Sequence, residues 1–122
     1  MQDFNIKKYY EKRPWGSFEQ FTHQETTTVK ILTIQPSQSL SLQYHNKRSE
    51  FWKVIAGCGK VTIGDTVHDA SEGDEFFVNK GEKHRIETNR CEIKVLEISF
   101  GDFDENDIVR LEDKYNRLPG KK

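Results

Sequence analysis

The sequence consists of short β-branched segments that recur about every ten residues, with turn residues between them. Thr27–Ile34 reads TTVKILTI and is followed by Pro36, while residues 51–56 read FWKVIA and are followed by Gly-Cys-Gly. β-Branched and aromatic residues favour strands, and Gly, Pro, Asn and Asp favour the turns that join them. So many short strands at regular spacing are typical of a sandwich or barrel. The sequence therefore predicts an all-β fold.

Only the C-terminal part of the sequence has a helical pattern. Ile108, Leu111 and Tyr115 fall at i, i+3 and i+7, which places them on one face of a helix. Asp104 can cap the first turn, and Leu-Pro-Gly at residues 118–120 can end the helix. We therefore expect a short C-terminal helix beside the β-structure.

Length, charge and cysteine content narrow the class of protein. A chain of 122 residues fits one domain. Its net charge is -1 although 32% of its residues are charged, which argues against nucleic-acid binding and against a polybasic membrane anchor. The sequence has no apolar run of about 18 residues and no signal-peptide pattern, so we expect a cytoplasmic protein. Cys58 and Cys91 lack CxxC spacing, and we expect free thiols.

Four polar residues have the spacing of a metal site. Gln43 and His45 are two apart on a predicted strand, so both side chains project from the same face. Glu50 follows a short polar turn, and an antiparallel return brings it beside His45. His84 begins a later strand and is the fourth candidate. Imidazole, carboxylate and amide oxygen suit zinc, cobalt, nickel, iron or manganese, and such a site can leave a coordination position open for substrate.

Two motifs in the sequence resemble those of the cupin family. The first is Gln43-x-His45-x4-Glu50-x6-Gly57, with Gln where many cupins have His. The second is Gly73-x5-Asn79-x-Gly81-x2-His84-x3-Thr88, with Asn79 in place of the usual Pro. The resemblance implies a double-stranded β-helix, also called a jelly-roll barrel, and it covers nearly the whole chain. We therefore expect one cupin domain over residues 1–122.

One branch of the cupins is more similar than the others. The segment LSLQYHNKRSEFWKVIAG, residues 40–57, resembles the signature of the type II phosphomannose isomerases, and residues 13–16, 83–87 and 107–115 agree with it. In that family this cupin is often the C-terminal domain of a bifunctional enzyme with a mannose-1-phosphate guanylyltransferase. The sequence contains neither that half nor a Gly-rich nucleotide loop. We therefore expect a stand-alone isomerase domain without nucleotidyl transfer.

The family resemblance implies a metal and a reaction. It assigns the metal to Gln43, His45, Glu50 and His84, with zinc as our first choice and cobalt, manganese, nickel or iron as alternatives. It implies the interconversion of mannose 6-phosphate and fructose 6-phosphate, which would supply activated mannose for surface polysaccharide.

The isomerisation needs a general base and cations for the phosphate. Glu97 lies on an otherwise apolar strand face, where a carboxylate is costly to bury without a role, although a structural salt bridge would also explain it. Arg48, Arg85 and Arg110 can bind a phosphate through the guanidinium fork. Arg110 ranks first because its segment resembles the family, although an ion pair on a helix surface is the alternative. We predict Glu97 and Arg110 as catalytic residues and the three arginines as substrate-binding residues.

Two other functions remain open at this point. Asn79 and Thr88 depart from the second cupin motif, which allows an isomerase or epimerase of another sugar phosphate or of a nucleotide sugar. The missing partner domain allows a non-catalytic module that binds metal and sugar phosphate, or one half of a split enzyme. As the partner we expect a small-molecule sugar phosphate. We also expect a homodimer, because cupin barrels often pair through an outer sheet and so shield edge strands.

Overall fold

The computed structural model describes residues 8–115 and 117, which form ten β-strands. Their bounds are β1 (Tyr9–Arg13), β2 (Gly16–Gln20), β3 (Thr27–Ile34), β4 (Leu42–Tyr44), β5 (Arg48–Ile63), β6 (Thr66–Ser71), β7 (Glu75–Val78), β8 (His84–Glu87), β9 (Ile93–Gly101) and β10 (Val109–Glu112). The predicted all-β fold is confirmed. None of the described residues lies in a helix, so this part of the chain has no helix that could cross a membrane.

The long strand β5 belongs to both layers of the barrel. Its first half pairs with β7 and β9, and β9 in turn pairs with β3. Its second half pairs with β6 and β8, and the layer continues through β4 to β10. The register shifts between Val54 and Ala56, and such a bulge bends a strand. The bend carries β5 from one layer into the other.

The core lies between the two layers and draws on six strands. Its buried members are Ile34, Trp52, Val54, Val61, Ala70, Val78, Ile86, Ile93 and Val95. Burying one such aliphatic side chain contributes about 1.5–3 kcal/mol. Alternation along β5 sends Phe51 to the opposite face, where it packs with Ile98 and Phe100 in a second cluster. Phe21, which follows the β1–β2 hairpin, contacts Phe51 at 5.4 Å between ring centroids.

The predicted C-terminal helix is wrong for the residues that the structure describes. Val109–Glu112 forms β10, which pairs antiparallel with β4, and the register shifts between Arg110 and Glu112. Ile108 lines a cavity and Leu111 is 43% exposed, so the two residues do not share one buried helix face. The apolar residues of this irregular strand have a spacing that also fits a helix, but pairing with β4 makes the segment a strand. The predicted helix stop at residues 118–120 lies outside the described residues.

The prediction of free thiols is also wrong, because Cys58 and Cys91 form a disulfide. The two cysteines are 33 residues apart in sequence, and the pairing of Gly57 with Ile93 brings them together. Gly57 has φ +82°, and a Cβ on it would overlap the Glu92 carbonyl oxygen. Only glycine allows β5 to approach residue 92 this closely. Disulfides are rare in reducing compartments, so the cytoplasmic location stays a prediction.

Candidate metal centre

The structure brings the four predicted metal ligands to one cavity. Gln43 on β4 lies directly opposite His84 at the start of β8. His45 follows β4, and Glu50 lies on β5. Three of these residues, His45, Glu50 and His84, each offer one ligand atom, and these atoms lie within 4.8 Å of one another. All three side chains are buried. Gln43 lines the same cavity. The chain therefore contains a group that could bind a metal ion.

Backbone carbonyls set the tautomer of both imidazoles. His45 Nδ1 lies 2.7 Å from the Asp107 carbonyl oxygen, and His84 Nδ1 lies 2.9 Å from that of Glu82. Because a carbonyl oxygen only accepts, each Nδ1 must carry the proton and donate. Each Nε2 then carries a lone pair instead of a proton. The Nε2 atoms of His45 and His84 lie 3.5 and 3.7 Å from the two carboxylate oxygens of Glu50.

Burial keeps both histidines neutral, which is the form that binds a metal. Burial is the largest influence on the pKa of His45 and lowers it, although the hydrogen bond to Asp107 and the charge of Glu50 partly oppose the shift. Burial likewise lowers the pKa of His84 against the attraction of Glu50. The two imidazoles are therefore prepared to coordinate without first losing a proton.

Two buried atoms at the site lack the partner that buried polar atoms normally have. Within the described part of the chain, neither Gln43 Oε1 nor His84 Nε2 has a hydrogen-bond partner. An unsatisfied buried acceptor costs about 1–3 kcal/mol. A cation between the ligands would contact both atoms and remove that cost. Two imidazoles, a carboxylate and an amide oxygen therefore fit a divalent transition metal.

Glu50 is held by two neighbours on its own strand. Trp52 Nε1 donates to Glu50 Oε1 at 3.1 Å, and Arg48 Nε donates to Oε2 at 3.1 Å. Arg48 also places Nη2 3.2 Å from His45 Nε2, and its guanidinium lies 4.5 Å from the centroid of the Phe103 ring. The predicted substrate-binding residue Arg48 therefore lies inside the candidate metal centre.

The predicted catalytic residue Glu97 lines the same cavity. It lies on β9 between Trp52 of β5 and Lys30 of β3, its two cross-strand partners. Burial, with a smaller effect from the charge of Glu50, raises the pKa of Glu97 from 4.5 to about 7, and Lys30 and Arg48 only partly oppose this. A carboxyl group with such a pKa can accept or release a proton near neutral pH.

The other two predicted phosphate ligands do not line this cavity. Arg85 follows His84 on β8, so it projects to the opposite face, where its nearest carboxylates are Glu87 at 3.5 Å and Glu112 at 3.4 Å. Arg110 lies opposite Gln43 on β10, and its buried Nε has no hydrogen-bond partner among residues 8–115 and 117. The structure therefore brings together six of the eight predicted site residues.

The cavity, of about 220 Å³, also has lining residues that the sequence analysis missed. Lys30 and Phe103 are the most informative, because Lys30 Nζ lies 4.2 Å from the Phe103 ring centroid. Lys30 shares a strand face with Leu32 and Ile34, and a charged residue on an apolar face was the signal that could have identified it. The remaining missed residues are Leu32, Leu40, Trp52, Glu105 and Ile108.

Asp107 connects the β9–β10 loop to the site and was also missed. Its carboxylate accepts hydrogen bonds from the backbone amides of Asn46 at 2.9 Å and Lys47 at 2.8 Å. Burial alone would raise the pKa of Asp107, but these two amides keep it below its usual value. The Asp107 carboxylate thus fixes the turn after His45, and the Asp107 carbonyl fixes the His45 ring.

Solved structures share this architecture. A mutant of oxalate decarboxylase OxdC from Bacillus subtilis is 26% identical and has a TM-score of 0.66, over 79% of this chain and 27% of that chain. A cupin protein from Bacteroides fragilis is 16% identical and has a TM-score of 0.56, over 83% of this chain and 95% of that chain. The fold and the site thus define a cupin, a double-stranded β-helix barrel, with a cluster that could hold a metal.

Sequence comparison gives the family within this class. The family described as mannose-6-phosphate isomerase C-terminal matches residues 3–113, so the chain belongs to it, as the sequence motifs predicted. Mannose-1-phosphate guanylyltransferase ManC of Salmonella typhimurium is 34% identical over 108 residues, 87% of this chain and 22% of the relative. Xanthan biosynthesis protein XanB of Xanthomonas campestris is 36% identical over 107 residues, 86% of this chain and 23% of the relative. The chain thus spans less than a quarter of the length of these relatives.

Proposed function

We propose that this protein is a metal-dependent isomerase that interconverts mannose 6-phosphate and fructose 6-phosphate. The observation that carries the proposal is the convergence of two neutral imidazoles, one carboxylate and an unpartnered amide oxygen beside Glu97. Family membership supports the substrate, because the family is named after this isomerase. The product would contribute to the supply of activated mannose for surface polysaccharide.

The chemistry divides between the metal ligands and Glu97. A divalent ion held by Gln43, His45, Glu50 and His84 would polarise the sugar carbonyl and stabilise the developing oxyanion. Glu97 would take the proton from C2 of the aldose and deliver it to C1, while a second proton passes from the C2 hydroxyl to the C1 oxygen, so that the carbonyl moves from C1 to C2. In the metal-free protein the pKa of Glu97 is about 7, so this carboxyl group can both accept and release a proton near neutral pH. The identity of the metal stays a prediction, with zinc as the first choice.

The phosphate of the substrate needs cations at the edge of the cavity. Lys30 and Arg48 both line the cavity and both contact the Phe103 ring, at 4.2 and 4.5 Å from its centroid. We therefore add Lys30 to Arg48 as a phosphate ligand. Arg85 and Arg110 lie outside the cavity lining, and their parts in binding and catalysis stay predictions.

A coupled assay for fructose 6-phosphate tests the proposal. The protein is treated with a chelator and then given one divalent metal at a time. We expect turnover that depends on the metal, and its loss in Gln43→Leu and His84→Ala variants that remain folded, since each change removes a ligand. His68→Ala is the matched control, because His68 is exposed on β6 and should leave turnover unchanged. Undiminished turnover in both ligand variants would contradict the proposal.

A second candidate function is a cupin module that binds metal and sugar phosphate without turning it over by itself. The names of the relatives favour it, since they are named as guanylyltransferases or as a xanthan biosynthesis protein and not as isomerases. Metal-dependent binding of mannose 6-phosphate without turnover would identify this function. Turnover of another sugar phosphate or of a nucleotide sugar would instead identify a different isomerase or epimerase. The homodimer stays a prediction.

A further inference from the structure

Arg48 contacts two of the atoms that would bind the metal. It lies two residues before Glu50 on β5, so alternation directs both side chains to the same face. Its Nε donates to Glu50 Oε2 at 3.1 Å, and its Nη2 lies 3.2 Å from His45 Nε2. The Arg48 side chain is only 9% exposed, so these contacts are shielded from water.

The contact with His45 can only be a hydrogen bond from Arg48 to the imidazole. His45 Nδ1 already donates to the Asp107 carbonyl, so the proton of the neutral ring is at Nδ1. Nε2 therefore has one lone pair, and Arg48, which has no acceptor, must be the donor. A lone pair that accepts this hydrogen bond is not free to coordinate a metal.

The charges at the site also indicate that Arg48 and a divalent ion exclude each other beside Glu50. Arginine stays protonated in proteins, and here it neutralises a glutamate that is 1% exposed. A divalent ion bound by Glu50 would take over that neutralisation and repel the guanidinium. Arg48 has other contacts available, since Nη1 lies 3.4 Å from the Asp104 carbonyl oxygen and the guanidinium lies over Phe103.

We propose that Arg48 competes with the metal for His45 Nε2 and Glu50 Oε2, and that metal binding displaces the guanidinium towards Asp104 and Phe103. Arg48 thereby keeps the ligands in position before the metal binds and lowers the affinity of the site for the metal. The inference rests on the metal site of the proposed function, but not on turnover.

Metal affinity measured against a competing chelator tests this inference. Zinc and cobalt are titrated into the wild-type protein and into Arg48→Met, Arg48→Lys and Arg90→Met variants. Because Arg48→Met removes the competing donor, we expect it to bind either metal about tenfold more tightly or better. Arg48→Lys has no fork to reach both ligands and should fall between Arg48→Met and wild type. Arg90 is exposed and does not line the cavity, so Arg90→Met should match wild type.

The direction of the change in metal affinity shows whether Arg48 competes with the metal or only supports Glu50. If Arg48 only supported Glu50, its removal would weaken metal binding, and weaker or unchanged affinity in Arg48→Met would overturn the inference. If that variant does not fold, Arg48→Lys must still bind metal more tightly than wild type, or the inference fails. Failure of the wild-type protein to bind any divalent metal would overturn both this inference and the proposed function. A wild-type protein that binds metal without turnover would contradict only the function.

Discussion

At the scale of single residues, the site depends on buried groups whose protonation is set by their neighbours. His45 and His84 each donate Nδ1–H to a backbone carbonyl and direct Nε2 towards Glu50. Glu97 is different, because it is a buried carboxyl group near a second one, and its pKa is raised to about 7. A carboxyl group that prefers its proton in the folded state makes stability depend on pH.

The Glu97→Gln variant should therefore be more stable than the wild-type protein in alkaline buffer. Below the usual pKa of 4.5, Glu97 is protonated in both the folded and unfolded states. Between 4.5 and about 7 only the folded state keeps the proton, so wild-type stability falls as the pH rises, and the loss is complete above about 7. We expect Glu97→Gln to remove this fall in the free energy of unfolding, which is about 3 kcal/mol. Urea unfolding at about pH 5 and about pH 8, with a chelator present, measures it.

The exposed residue Glu72 provides the control for this experiment. Glu72→Gln should keep the wild-type dependence of the free energy of unfolding on pH. The same dependence in Glu97→Gln as in wild type would show that Glu97 does not hold a proton in the folded state.

At the scale of elements, the β9–β10 loop and β10 complete the site. β10 pairs with β4 and so covers the strand that bears Gln43. The loop places Phe103, Glu105 and Ile108 at the cavity, and it brings Asp107 to the turn after His45. The metal ligands on β4 and β5 therefore depend on a segment about 60 residues later in the chain, as in the contact of Asp107 with Lys47.

The Asp107→Ala variant should weaken both the fold and the metal site. Its carboxylate satisfies the amides of Asn46 and Lys47, and leaving such groups unpaired costs about 1–3 kcal/mol. Loss of a group that orients a ligand typically reduces metal affinity about 10- to 100-fold. Chemical unfolding and metal titration measure the two effects.

Asp65→Ala is the matched control for Asp107→Ala. The Asp65 side chain is 93% exposed and pairs only with Lys83 at the surface in the described part of the chain. Such pairs contribute about 0–1 kcal/mol, so this variant should keep its metal affinity. Equal metal affinity in the Asp107→Ala, Asp65→Ala and wild-type proteins would mean that the Asp107 carboxylate does not help to orient His45.

At the scale of the whole molecule, the disulfide and the candidate metal centre are separate parts of one barrel. Cys58 follows Glu50 by eight residues on β5, about 25 Å of extended strand. The disulfide borders a cavity of about 720 Å³ that shares no lining residue with the metal centre. Stability and metal binding should therefore respond to different changes.

Replacing both cysteines with serine should destabilise the protein and leave metal affinity unchanged. Closing a loop over a sequence separation of 33 residues restricts the unfolded chain, and the entropic model gives about 3–4 kcal/mol for that effect. In thermal unfolding, a reductant should lower the stability of the wild-type protein by the same amount as the double substitution does. The double variant should not respond to the reductant. A wild-type melting temperature that the reductant does not change would contradict the prediction.

The sequence indicated the metal centre because its ligands follow local rules. Gln43 and His45 share a strand face by alternation, and a short turn returns Glu50 to their side. The strand pattern shows Lys30 as a charged residue on an apolar face, but it does not show that Lys30 meets Glu97. Glu97 is 67 positions later in the chain, and the pairing of β3 with β9 brings the two residues together. Arg110 was placed on a helix because a bulged strand and a helix can show the same apolar spacing.

The sequence by itself determined the strands, most of the turns and the spacing of the metal ligands, because backbone preference and side-chain alternation act over a few residues. Only the tertiary structure decided that residues 109–112 pair with β4, that Cys58 meets Cys91, and that Asp107 sets the tautomer of His45. Each of these contacts joins residues 33 or more positions apart. Which distant segments meet depends on the register of the whole sheet and on the closing of the loops between them, and no local stretch of sequence contains that information.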